Sequence, residues 1–225
     1  MFLLMSQCLQ VEIDPLKISE QYLNGVLLAV DILAFSRDEC PSEPDHPLCM
    51  ISAAHTSGLS AVSRVYAKLF VAGGASEPEE KQILRNFLSY LEMFDGGTIA
   101  AHYGATETAD EGFDLPYMLL RARDFHPEMY PQLKHALKKF RKHDTCIYVK
   151  RNMNLPSADL DYVEGYYGLL RRGEATTDDP CASLAAYWRE DDRSILKFGL
   201  ANTYNCLRIA QSQIKKSICC TDVPL

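Results

Sequence analysis

The sequence predicts a mainly α, multi-helix globular domain with two or three short strands, and three observations carry that prediction. Apolar residues recur at steps of three and four along most of the chain. Helix-starting residues stand where those stretches begin, and the segments with strand character are short: LCMIS (48–52), TIAAHYGA (98–105) and CIYVK (146–150). An α/β fold with a sheet built from those three segments is the alternative. At 225 residues, 47% hydrophobic and 24% charged, the chain can bury a real core and reads as one globular domain, 1–225.

In order along the chain, Ile18, Tyr22, Val26, Val30 and Leu33 predict an amphipathic helix over 18–36, part of an N-terminal helical element 1–37. An acidic, proline-rich loop at 38–47 stops it, because DECPSEPDHP cannot continue a helix. LCMIS reads as a buried strand and 58–72 as a helix. Ser76 and Glu79 form an S-x-x-E capping box with Pro78 in the first turn, and Ile83, Leu84, Phe87, Leu88 and Leu91 supply that helix's apolar face. Asp114 caps a helix starting at Leu115-Pro116, and a basic helix follows over 130–143. Ser157 starts a helix that Gly173 stops, Asp179-Pro180 opens another that REDDR breaks, and a long helix covers 194–215. Its seam of Leu196, Leu200, Thr203, Leu207, Ala210 and Ile214 is expected to pack internally.

Eight cysteines include no C-x-x-C pair, so neither a zinc site nor any other metal or cofactor is expected. No charged n-region precedes the short run FLLM, and VLLAVDILAF, interrupted by Asp31, is too short to cross a bilayer. A cytoplasmic protein with reduced thiols and no membrane association is the expectation, with the vicinal Cys219 and Cys220 on a frayed tail.

Net charge is −7, yet KHALKKFRKHD (134–144) gathers five Lys or Arg and two His. On a helix, Leu133, Leu137 and Phe140 face the core. Lys134, Lys138 and Arg141 then form one outer row, and His135, Lys139 and Lys142 the next. Six clustered cationic groups suit an acidic protein surface or a nucleic-acid phosphate backbone. The first functional expectation is therefore a regulatory or interaction protein that binds such a partner through these residues. The protein's own acidic segments, 38–45 and 107–114, are the competing counterpart for the ridge.

A second candidate is R-A-R-D-F-H, Arg121 through His126. It resembles the Arg/His signature of HEPN-type ribonucleases, with Ala122 where that family carries a polar residue. The resemblance implies a phosphate-directed hydrolase, a ribonuclease in which Arg121 stabilises phosphate and His126 does acid–base work. His143-Asp144 resembles the dyad of HD-type metal phosphohydrolases, for which His102 or His126 with Asp191 or Asp192 would have to complete the ligand set. Its place after KKFRK, where cations disfavour a metal ion, argues instead for a helix terminus. ISAAHTSGLS (51–60) holds Ser52, His55, Ser57 and Ser60 but no nucleophile elbow or phosphate loop. These residues read as caps, and Tyr162 and Tyr166 as the rim of a core.

Overall fold

The computed structural model of this chain describes residues 25–36, 45–57, 59, 64–105, 112–169, 171 and 179–221. The expected start of the N-terminal helix (18–24), most of the acidic loop (38–44), Gly173 and the side chains of Cys219 and Cys220 lie outside those residues. Five strands build one sheet: β1 (Val26–Ala34), β2 (Leu48–Ser57), β3 (Val65–Val71), β4 (Gly97–Ala101) and β5 (Phe140–Asp144). Their order is β3-β2-β1-β4-β5. β1 and β3 run antiparallel to β2, while β4 runs parallel to β1 and to β5. The described helices are α1 (Glu77–Leu91), α2 (Asp114–Phe125), α3 (Tyr130–Lys138), α4 (Thr145–Asn152), α5 (Leu160–Tyr166), α6 (Pro180–Glu190) and α7 (Ser194–Thr221).

This mixed α/β sheet overturns the mainly α expectation, and burial explains why. β1 is the central strand, so Leu27, Leu28, Ala29 and Val30 are all buried, on both faces. A strand covered on both faces is a continuous apolar run, and such a run also satisfies a helical template. The segment expected as a helix over 18–36 is therefore strand from Val26; 58–72 contains β3, an edge strand with Tyr66, Ala67 and Lys68 exposed, whose VYAKLFV run does not alternate either. LCMIS and TIAAHYGA do supply strands, β2 and β4. CIYVK does not. The Asp144 carboxylate accepts from the Ile147 N–H at 2.9 Å, and that N-cap opens α4 despite the β-branched and aromatic content.

One face of the sheet packs on α1, α2 and α3 through Leu28, Val30, Ile51, Ile83, Phe87 and Leu133. The other is crossed by α7, whose Cys206, Leu207, Ala210 and Ile214 meet Leu27, Ala29, Ala54 and Ala100. The α7 seam thus packs internally, as its spacing predicts. Gly97 is confined to glycine by its φ of +144° and by the carbonyl of Val26, which a Cβ would meet at 2.1 Å. α1 begins after Ser76 as expected, although Ser76 makes no side-chain cap bond, and it ends at Leu91. Glu79 instead accepts from the Gly73 N–H at 3.0 Å. Asp179 caps α6 through the Ala182 N–H, and Asp191 ends it in a left-handed conformation. The helix after Ser157 is shorter than expected: α5 stops at Tyr166, with Gly168 at φ +66° just beyond.

Cys49, Cys146, Cys181 and Cys206 are free thiols. Among the described residues no helix is long and apolar enough to cross a membrane.

Candidate functional site

Strand pairing opens a crevice that the sequence did not reveal. β4 pairs with β1 only as far as Ala29↔Ala100, whereas β1 continues to Ala34. The carboxyl ends of the parallel strands β4 and β5 therefore leave a gap beside the second half of β1, where open α/β sheets hold ligands. Asp31 stands there on the face covered by α7, sharing it with Leu27 and Ala29. The β1–β2 register shifts between Leu33 and Ala34, and such bulges recur beside functional residues.

Asp114, the first residue of α2, reaches the same gap and is 4% exposed. The N–H of Ile32 donates to its carboxylate at 3.4 Å, so Asp114 is engaged with β1 rather than capping its own helix. From α7, the Asn202 amide N–H donates to Asp31 at 3.2 Å, while the Asn202 side-chain oxygen, also buried, has no partner among the described residues. Leu33, two residues past Asp31 on the same strand face, adds only hydrocarbon.

Desolvation pushes the Asp31 carboxyl up to about 6; the Asn202 amide, Arg171 and Ser52 oppose it. Burial, with the neighbouring charge of Asp31, holds Asp114 well above the usual carboxylate range. Native-state pKa values above the unfolded ones make folding bind protons. The associated stability is complete below about pH 4 and is lost as pH rises through about 6. Asp31→Asn is thus expected to stabilise the fold by about 1–3 kcal/mol at about pH 8, with the gain shrinking to nothing near pH 4. Thermal melts across that range check it; a variant no more stable than wild type at high pH contradicts it.

The rim of the crevice is built by Asp144 at the end of β5. Besides capping α4, its carboxylate accepts from the N–H groups of Tyr103 at 3.2 Å, Gly104 at 2.7 Å and Ala105 at 3.0 Å. Position 104 must be glycine, because a Cβ would lie 2.0 Å from the Asp114 carboxylate. His143 bonds Gln213, and His102 bonds Thr145 and the Ala158 carbonyl. Burial lowers the pKa of both rings. His143 and Asp144 are thus each engaged with protein partners, and they end strand β5 rather than the helix expected of them.

The basic residues divide between two elements. Lys134, His135 and Lys138 are exposed on α3 and Lys139, also exposed, caps its end; the helix stops at Lys138, and Arg141 and Lys142 belong to β5. The expected helix over 130–143 is corrected accordingly. Strand geometry sends Arg141 and Lys142 to opposite faces. The Lys142 ammonium turns back onto the Leu137 and Phe140 carbonyls, at the carboxyl end of α3. Of the acidic counterparts considered for the ridge, 38–44 and 107–111 lie outside the described residues.

Arg121 and His126 do converge, but on Glu80. Arg121 makes a two-point contact to the Glu80 carboxylate, at 2.7 and 2.5 Å, and His126 approaches it at 2.9 Å. All three side chains are buried. A cavity of about 430 Å³ beside Asp45, Glu77 and Phe125 includes Arg121 in its lining but neither Glu80 nor His126.

No protein-family model matches the chain, and no curated protein matches it by sequence. Among solved structures it is similar to the family B DNA polymerase from the hyperthermophilic archaeon Pyrobaculum calidifontis, with a TM-score of 0.65 and 19% identity. The match covers 86% of this chain and 25% of the polymerase, so the chain spans about a quarter of that protein's length. At that identity the likeness is one of fold.

Proposed function

We propose that this chain is a nucleic-acid-binding domain that holds a phosphate backbone without cleaving it. The observation that carries the proposal is the exposed basic group of Lys134, His135 and Lys138 on α3 with Lys139 at its cap, continued by Arg141 on β5, in a chain of net charge −7. Lys138 and Lys139 make no ion pair with the described acids, so their charge is available to phosphate. The fold likeness to a DNA polymerase supports nucleic acid over an acidic protein as the partner.

The crevice chemistry supports binding without cleavage. Hydrolysis by paired divalent cations needs several ionised carboxylates to hold the metals and orient water. Here Asp31 and Asp114 are accompanied by the neutral amide of Asn202 and the hydrocarbon of Leu33. Among the described residues no three His, Cys, Asp or Glu side chains gather around one point. Arg121 and His126 are engaged with Glu80, which favours a structural role for both.

Fluorescence anisotropy with a labelled single-stranded oligonucleotide tests the proposal. Lys138→Glu with Lys139→Glu is expected to leave the melting temperature unchanged, weaken binding at least tenfold and lower the salt slope by about 2. The oligonucleotide should stay intact with the wild type in magnesium or manganese. Binding insensitive to both salt and the double substitution would sink the proposal, and cleavage lost on Asp114→Asn would replace it with a hydrolytic one.

A further inference from the structure

We propose that Tyr103 is a base-stacking residue for single-stranded nucleic acid at the mouth of the carboxylate crevice. The inference rests on the nucleic-acid reading above and adds a site to it. Two non-glycine residues among those described have positive φ, Asp191 and Tyr103. Asp191 is accounted for, since it ends α6 as a left-handed cap. Tyr103, at φ +62°, caps no helix. A bulky aromatic residue disfavours this conformation, which glycine or asparagine adopts readily, so the side chain rather than the turn calls for tyrosine.

The strained backbone is held from several sides. Its N–H and the next two donate to Asp144, and its carbonyl accepts from the Phe113 N–H at 2.7 Å. The result fixes an aromatic ring, 38% exposed, one residue from Gly104, which abuts Asp114. Backbone strain retained by a surrounding frame is a feature of ligand sites. The Lys150 ammonium lies 5.1 Å from the ring centroid, placing a cation beside an aromatic face. That pairing suits a nucleotide: the base stacks on the ring and its phosphate meets the ammonium. The other exposed tyrosines, Tyr66, Tyr162 and Tyr166, sit on strand or helix backbone of ordinary conformation and carry no such frame.

The test uses anisotropy with labelled oligodeoxythymidylate and an abasic strand of equal length, on wild type, Tyr103→Gly, Tyr103→Asn and Tyr103→Phe. Glycine and asparagine both accept the left-handed backbone, so one of them reports even where the other fails to fold. Expected is a loss of roughly tenfold or more in thymidylate affinity for the glycine and asparagine variants, with an unchanged salt slope and no fall in melting temperature. Tyr103→Phe should bind like wild type, and the abasic strand should bind weakly and equally to all four proteins. Thymidylate binding that is salt-sensitive but indifferent to Tyr103 overturns this inference alone. A wild type that binds neither strand overturns both this inference and the nucleic-acid reading. Equal losses on both strands show a backbone effect and also count against stacking.

Discussion

Glu80→Ala is expected to lower stability by about 3–5 kcal/mol, the largest effect of any single substitution considered. Glu80 is fully buried, and its two carboxylate oxygens take bonds from Arg121, His126 and the Leu48 N–H, the last at 2.8 Å. Truncation leaves the Arg121 guanidinium, 1% exposed, without its bidentate anion and strands a backbone donor at the start of β2. An unpaired buried cation costs far more than the pair contributed. Adding Arg121→Met to Glu80→Ala should recover part of the loss, because it removes the orphaned charge. Urea denaturation of the single and double variants measures both. A loss below about 1 kcal/mol for Glu80→Ala would mean that water reaches the triad. This also explains why the R-A-R-D-F-H segment looks catalytic in sequence: an Arg and a His five positions apart can serve an internal anion as well as a substrate.

Asp144→Ala should cost about 2–4 kcal/mol, through the loss of bonds from the Tyr103, Gly104, Ala105 and Ile147 N–H groups. The damage is expected to be local before it is global. Hydrogen exchange at those four amides should accelerate by more than exchange in β1 or α1, and Tyr103 should leave its left-handed conformation. Uniform acceleration across the sheet would show that Asp144 supports the fold without organising the rim.

What could be read beforehand followed from local signals. α1, α2, α6 and α7 are marked by prolines, capping residues and three-four spacing, none of which depends on distant partners. β1 was missed because covering a strand on both faces removes the alternation that identifies strands. α4 was missed because one carboxylate, Asp144, decides between two conformations that the composition of CIYVK allows. The basic residue types were legible, but not the end of α3 at Lys138, since KKFRK has no breaker and the turn toward β5 is set by pairing with β4. Asp31 did leave a trace, as a single acid interrupting VLLAVDILAF. It registers as a flaw in a hydrophobic run until the fold brings Asp114 and Asn202 to it, from 83 and 171 positions away.

The placement of β5 has a consequence for how these molecules behave toward one another. It lies at one margin of the sheet, with no strand beyond it among the described residues. A margin of that kind offers backbone groups on which a second chain can add a strand, the first step toward aggregates. Its sequence, FRKHD, meets a second copy of itself with like charges at Arg141 and Lys142. The like charges of Arg141 and Lys142 oppose such edge-to-edge pairing of two copies.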